Sequence, residues 1–207
     1  PQYIRKGWIN RNRILGANGK DVYFTVPVEK CPRETPIKDV KISYNENWKE
    51  KWMGQLTVYK KRAPRYSTVM QLVQDVLNCD TQFISEMAIN SVIKTCQYLG
   101  VSFEYDIYSK MNLPLFEVKA PDEWALGITQ AMGYDTYVNP PGGKSFFDAD
   151  KYKKVNIELE FLTQEIQEYN QRVREFVPGL SILDLMMFCA PEEIVSMMDS
   201  YQIEKGE

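Results

Sequence analysis

The stretch 121-PDEWALGITQAMGYDTYVNPPGGKSFFDADKYKKVNIELEF-161 carries the alternation that decides the fold class. Pro121, Asp122 and Glu123 open a helix, because proline presets the first-turn φ and acidic groups favour the positive end of the helix dipole. Ile128, Ala131 and Met132 continue its apolar side, and Gly133 closes it. Tyr134 to Val138 then reads as a strand, and Asp148 to Lys154 as a short helical stretch. Ile157, Leu159 and Phe161 alternate with polar residues and mark the next strand. Strands separated by helices predict βαβ units in a largely parallel sheet.

Working outward, Ser181 to Phe188 and Pro191 to Tyr201 read as terminal helices. Upstream, Val101, Phe103, Tyr105 and Ile107 alternate as a strand would. Three helices precede it. One carries Trp48, Trp52, Leu56 and Tyr59 and ends at Ala63-Pro64. One is capped by Ser67 or Thr68 and carries Val69, Leu72, Val73, Val76 and Leu77. One begins at Asp80 or Thr81, carries Ile84, Met87, Ala88 and Cys96, and ends at Gly100. Residues 31–36 read as loop. Residues 8–28 predict a β-hairpin: Trp8 to Leu15 is one run, Val22, Phe24, Val26 and Val28 alternate on the other, and Asn18-Gly19 supplies positive φ angles between them. The expectation is an α/β protein with an open, mostly parallel sheet flanked by helices, an N-terminal β-hairpin and a helical insertion. It forms a single domain over residues 1–207, with the loop around Lys110 to Pro121 as the one candidate boundary.

Composition narrows the chemistry. The 207 residues are 44% hydrophobic and 26% charged, ordinary for a globular chain. No apolar run reaches the length that crosses a bilayer, about 20 residues. No charged-then-apolar leader is seen, so a cytoplasmic protein without membrane insertion is expected. The chain opens at Pro1, which fits a processed form or a fragment. Cys31, Cys79, Cys96 and Cys189 make no C-x-x-C pair and read as free thiols in a reducing compartment. There is no histidine, which removes every mechanism that needs an imidazole base within the chain. With no cysteine cluster either, no metal site is expected, and no cofactor is legible. Residues 1–66 hold 15 Lys/Arg against 6 Asp/Glu, and the remainder 10 against 22. A basic first third fits an anionic small-molecule ligand, or equally lysines solvated on exposed helices. Nucleic acid is not the expected partner, because such domains tend to be strongly basic overall.

Three stretches carry possible chemistry. In Arg5-Lys6-Gly7-Trp8-Ile9-Asn10-Arg11-Asn12-Arg13-Ile14, a strand places Trp8, Asn10 and Asn12 on one face and Arg11 and Arg13 on the other. Two amides beside an indole could read a sugar, and two arginines could grip phosphate or carboxylate in forked geometry. A solvated edge strand whose charges discourage pairing accounts for the same residues. Asn139-Pro140-Pro141-Gly142-Gly143-Lys144 follows a strand, where open α/β sheets bind ligands. The Gly142 and Gly143 backbone with the Lys144 charge could hold an anion. An ordinary Pro/Gly turn is the other reading. The stretch is no Walker A loop, because Val138 stands where that pattern needs glycine. In the third stretch, Tyr169 and Gln171 would wall a pocket beside Ser181, with Asp184 and Tyr169 handling protons. Alternatively, Ser181 caps a helix and Asp184 complements its dipole.

These stretches resemble the WbqC-like family: Lys6-Gly7-Trp8-Ile9-Asn10-Arg11-Asn12-Arg13-Ile14, Asn139-Pro140 with Gly142-Gly143-Lys144, and Phe176-Val177-Pro178 with Leu180-Ser181-Ile182-Leu183-Asp184. The resemblance implies a bacterial protein encoded among genes for O-antigen or other surface polysaccharides, and a glycine (aminoacyl) transferase acting on a sugar. It raises the functional reading of Asn10, Arg11, Asn12 and Arg13. The chain lacks the strand-helix-strand segment with a Gln-Pro-Tyr-like motif that generally opens family members. It is thus expected to be N-terminally incomplete relative to them, and its Trp48 to Pro64 helix matches only loosely. Two functions are expected from this. One is transfer of an amino-acyl or related acyl group onto the amine of a nucleotide-linked amino sugar. The other is non-catalytic binding or scaffolding in the same pathway. A nucleotide-dependent ligase lacks its phosphate-loop pattern.

Overall fold

The computed structural model describes residues 2–206. In chain order the elements are β1 (Arg11–Leu15), β2 (Asp21–Thr25), α1 (Trp48–Leu56), α2 (Tyr66–Leu77), α3 (Ile84–Leu99), α4 (Glu123–Ala131), β3 (Thr136–Asn139), α5 (Ala149–Lys153), β4 (Glu158–Gln164), α6 (Ile182–Phe188), α7 (Pro191–Met198) and β5 (Tyr201–Lys205). Helices and strands are mixed along the chain, so the class is α/β. Two compact units emerge. The first comprises residues up to Glu104 with Ile166–Met197, and the second Tyr105–Glu165 with the chain from Met198 on.

The first unit is built on the β1–β2 hairpin, antiparallel with Leu15 opposite Asp21 and Arg13 opposite Tyr23. The turn differs from expectation. Gly19 alone takes positive φ, at 74°. The Gly19 N–H returns to the Gly16 carbonyl at 3.1 Å, the pattern of a type I turn whose left-handed residue forms a bulge. Strand β1 also starts later than Trp8, because Lys6 takes positive φ (63°) and the Gly7 N–H closes a turn on the Ile4 carbonyl. A two-stranded ribbon leaves both edges unpaired, and here side chains and one loop satisfy parts of them. Trp52 Nε1 and Gln55 Nε2 of α1 donate to the Thr25 and Tyr23 carbonyls. On the other edge, the Ser181 N–H donates to the Arg13 carbonyl and the Leu15 N–H to the Tyr59 hydroxyl.

Around this ribbon the helices bury one stripe each. In α2 the buried Val69, Val73, Val76 and Leu77 follow the i, i+4, i+7, i+8 spacing, each worth roughly 1.5–3 kcal/mol over an exposed position. They join a core with Ile14, Leu15, Tyr59, Ile84, Met186 and Ile194. Two helix starts depart from the sequence reading. Helix α2 begins at Tyr66 with no side-chain cap, so Ser67 and Thr68 lie inside its first turn. The Arg65 N–H binds the Met187 carbonyl, which turns the chain into the helix earlier. Helix α3 begins at Ile84, not at Asp80 or Thr81, because residues 82–84 run extended against 40–42. The Ile42 N–H reaches the Gln82 carbonyl and the Ile84 N–H the Val40 carbonyl. Gly100 does end α3, in the left-handed conformation at φ 69°.

In the second unit β3 and β4 pair in parallel, Thr136 opposite Glu158 and Asn139 opposite Phe161, with α5 in the connection. The βαβ reading of residues 134–161 therefore holds. The sheet is mixed, however. Residues Tyr201–Lys205, of which only Tyr201 was expected, as the end of a helix, form β5 antiparallel to β4. Its order is β3-β4-β5. Leu159 and Phe161 of β4 pack with Leu126, Ala149, Tyr152 and Ile157 in a separate core. Residues 101–107 form no strand. Their alternation sets which way side chains point, but a strand also needs a neighbouring ladder.

All four cysteines carry free thiols, with Cys189 buried. Among the described residues no helix is long and apolar enough to cross a membrane.

Candidate functional site

Strand β1 presents Arg11 and Arg13 side by side, two residues apart on one face of the hairpin. Trp8 joins them rather than Asn10 and Asn12, contrary to the face assignment made from strand periodicity. Because Trp8 sits beyond the start of β1, the Lys6-Gly7 turn folds it back. Both guanidinium carbons lie 5.8 Å from its ring centroid. Arg11 also lies 4.5 Å over Tyr23, and the Trp8 and Tyr23 rings are 6.2 Å apart at 31°. Trp8 is 60% and Tyr23 46% exposed. The guanidiniums are pinned from behind. Arg13 pairs with Asp21 at 3.2 Å and donates to the Gly179 carbonyl at 2.8 Å, and Arg11 donates to the Lys6 carbonyl. The Nε–H of each arginine is buried with no hydrogen-bond partner among the described residues.

Tyr23 and Asp21 escaped the sequence reading. Their signal was the hairpin register, which sets Tyr23 across from Arg13 as an aromatic residue on the polar side of β2.

Asn10 is buried, donating to the Val26 carbonyl at 2.8 Å and accepting from the Tyr3 hydroxyl at 3.3 Å. The Asn12 Oδ1 accepts from the Arg13 N–H at 2.8 Å.

The third stretch meets β1 directly. Ser181 is the N-cap of α6, its hydroxyl accepting from the Leu183 N–H at 3.3 Å. Asp184, one turn on, is fully buried. Its carboxylate accepts from the hydroxyls of Tyr59 and Tyr169, each at 2.5 Å, and from Gln171 Nε2 at 2.9 Å. Gln171 in turn clamps the Val177 backbone, donating to its carbonyl at 3.0 Å and accepting from its N–H at 2.8 Å. Burial raises the Asp184 pKa above the ordinary carboxylate range, against the opposing effect of its three donors. Burial and the adjacent carboxylate push both tyrosines up. Tyr59, read in the sequence only as an apolar helix position, was thus missed. Nothing local marks a hydroxyl that meets its partner 125 residues away. The chain of contacts runs from Asp184 through Gln171 to the loop at Val177. That loop carries Gly179, whose carbonyl holds Arg13.

Asn139, Gly142, Gly143 and Lys144 belong to the second unit. Pro141–Phe146 winds as a 3-10 turn. Gly143 is buried, and a Cβ there would come within 2.5 Å of the Asn139 amide and 2.9 Å of the Phe147 ring. Asn139 accepts from the Tyr137 hydroxyl at 2.9 Å. Lys144 pairs with Glu204 of β5 and lies 5.6 Å over the Phe161 ring. Its charge is already matched, and Gly143 serves close packing. Among the described residues no three His, Cys, Asp or Glu side chains group as a metal site would.

Fold and site together define an α/β protein with an arginine–aromatic face on a hairpin and a buried carboxylate network behind it. The sequence profile of the WbqC-like protein family matches residues 1–196, and the chain belongs to that family. It is similar to the uncharacterized protein Rv1507c of Mycobacterium tuberculosis (strain ATCC 25618 / H37Rv), at 24% identity over 191 residues, 89% of this chain and 79% of the relative. No solved structure matches it.

Proposed function

We propose that the protein transfers an amino-acyl (glycyl-type) or related acyl group onto the amine of a nucleotide-linked amino sugar, in bacterial surface polysaccharide biosynthesis. The observation that carries this reading is the pair Arg11 and Arg13 on one face of β1, with an exposed Trp8 against both guanidiniums. Such a face suits an anionic, ring-bearing small molecule. In the reaction the sugar amine attacks the acyl carbonyl carbon. The new C–N bond forms, the bond to the donor's leaving group breaks, and the amine gives up one proton. With no histidine in the chain, that proton passes to a carboxylate, a tyrosine or the leaving group. We assign the Tyr169 hydroxyl, half-buried and donating to Asp184, as a relay in this role, passing its own proton to Asp184 as it takes the amine's. Free thiols fit a reducing cytoplasm.

A second reading is a non-catalytic nucleotide-sugar-binding or scaffold protein of the same pathway. One observation favours it: Asp184 is fully buried with both oxygens occupied, which shields the one carboxylate of the network from any substrate. Ligand-induced thermal shifts separate the two, because a ligand that binds the native state raises its apparent stability. The panel holds nucleotide sugars, acyl-CoA thioesters, ATP and glycine. Stabilisation by a nucleotide sugar together with a thioester, followed by amide formation between them, supports the transferase. Stabilisation by a nucleotide sugar without turnover supports the binding protein. Arg11→Ala should weaken the shift while the fold survives, and an unchanged shift removes Arg11 from the site.

A further inference from the structure

We infer that the Trp8–Tyr23 platform recognises the nucleobase of a nucleoside diphosphate, so that the nucleotide half of the substrate, not its sugar, anchors at the β1–β2 hairpin. The inference rests on the reading that this face binds the anionic substrate, and it specifies which part.

Three observations carry it. First, both rings are exposed, Trp8 at 60% and Tyr23 at 46%, and they sit 6.2 Å apart at a shallow 31°. Two such rings side by side offer flat aromatic area that the fold leaves partly open to solvent. Second, each ring already carries a guanidinium, Arg11 over Tyr23 at 4.5 Å, and Arg11 and Arg13 against Trp8 at 5.8 Å. A cation draws electron density from the ring it covers. That weakens the ring for the slightly positive C–H groups of a sugar and suits it to the π-face of a base, which stacks on aromatic and guanidinium planes alike.

Third, the two guanidiniums keep donors for a phosphate. Arg13 uses one N–H of Nη1 on Asp21 and one of Nη2 on the Gly179 carbonyl, and Arg11 uses one of Nη2 on the Lys6 carbonyl. A guanidinium carries five N–H groups, so these contacts leave donors on both arginines, among them a buried Nε–H on each with no partner among the described residues. A charged donor buried without an acceptor is costly, and two arginines two residues apart on one strand face suit an anion with more than one phosphate group. A free hexosamine supplies no anion for them. A sugar 1-phosphate supplies the anion and no base.

The test is titration of the full chain with four nucleoside diphosphates (of adenosine, guanosine, uridine and cytidine), glucosamine 1-phosphate and inorganic pyrophosphate, by calorimetry and tryptophan fluorescence. At least one diphosphate should bind at least 10-fold tighter than glucosamine 1-phosphate or pyrophosphate. Trp8→Ala and Tyr23→Ala should each weaken it about 10-fold, within the range measured when a stacked base loses its ring. Both side chains are exposed, so circular dichroism should show both variants folded. Trp124→Ala, an exposed aromatic of the second unit, should leave binding unchanged. Equal affinity for the sugar phosphate, wild-type affinity in Trp8→Ala, or no binding of any diphosphate would overturn the inference. Diphosphate binding that depends on Trp8, with no acyl transfer from any donor, would sink the transferase and leave this assignment standing. Acyl transfer that persists in Trp8→Ala at the wild-type KM would do the reverse.

Discussion

At Asp184 a carboxylate is held in a fully buried position by two hydroxyls and an amide. Its folded-state pKa is raised, chiefly by desolvation, so the native state binds the proton more tightly than the unfolded chain does. The contribution is therefore greatest below the ordinary value of 3.8 and is lost as pH rises from there through the folded value. Asp184→Asn removes that slope. In urea unfolding at a series of pH values, the wild-type stability relative to this variant should fall as pH rises across that window, and parallel curves would contradict the assignment. Gly179 is a second sensitive residue. It holds φ 66° and lies where a Cβ would come 3.1 Å from Arg13 Nη2. Gly179→Ala should cost about 1 kcal/mol for the left-handed backbone and shift the Arg13 guanidinium. Both the urea midpoint and the diphosphate affinity should drop. A drop in the midpoint alone would show that Gly179 does not position Arg13.

Among the elements, α4 shows how capping sets an acid response. Asp122, the residue before the helix, makes no side-chain cap. Instead Glu123 reaches back to the N–H groups of Lys119 and Ala120 at 2.6 and 3.0 Å and pairs with Lys151 at 2.9 Å. The Lys119 N–H first, then Lys151, then the Ala120 N–H lower its pKa to about 2. A depressed carboxylate stabilises the native state above its ordinary value of 4.5, and this stability is lost as pH falls toward about 2. Glu123→Gln should lower the urea midpoint at neutral pH and flatten its decline between those limits. A variant with the wild-type acid profile would place the acid response elsewhere. The start at Pro121 to Glu123 and Gly133 at the end located α4, because both are local signals, but its buried residues are Leu126, Gly127 and Thr129 rather than Ile128, Ala131 and Met132. Those signals could not show which acid would turn back on the preceding loop, since that depends on the path of residues 119–120.

For the whole molecule, two separate cores mean that damage should stay local. Gly143→Ala forces a Cβ to within 2.9 Å of Phe147, an overpacking that typically costs about 1–3 kcal/mol. Hydrogen exchange should then accelerate in peptides from 105–165 and leave those from 1–104 unchanged. A uniform increase would show instead that the two units open together. The family match runs over residues 1–196 and so includes parts of both units.

Local pattern was enough for the α/β class, the hairpin, the stripe of α2, the β3–β4 crossover, the Gly100 stop and the Ser181 cap. Each rests on neighbours within a few turns or pleats, where side-chain period and backbone preference act directly. Strand β5, the irregular course of residues 101–107, the late start of α3 and the return of Trp8 onto Arg11 and Arg13 depended on partners distant in sequence or on a single turn. Pairing a strand requires a free edge somewhere else in the chain. Alternation is visible without one, so the pattern marked a strand at 101–107 where no ladder forms and missed one at 201–205 where β4 had an edge to fill. The Tyr59–Asp184–Tyr169 network is the extreme case. Tyr169, Gln171 and Asp184 lie close enough in the sequence to read as one possible pocket, whereas Tyr59 reads only as an apolar helix position; it joined the cluster because burial makes an unpaired carboxylate costly and folding brought three donors to it.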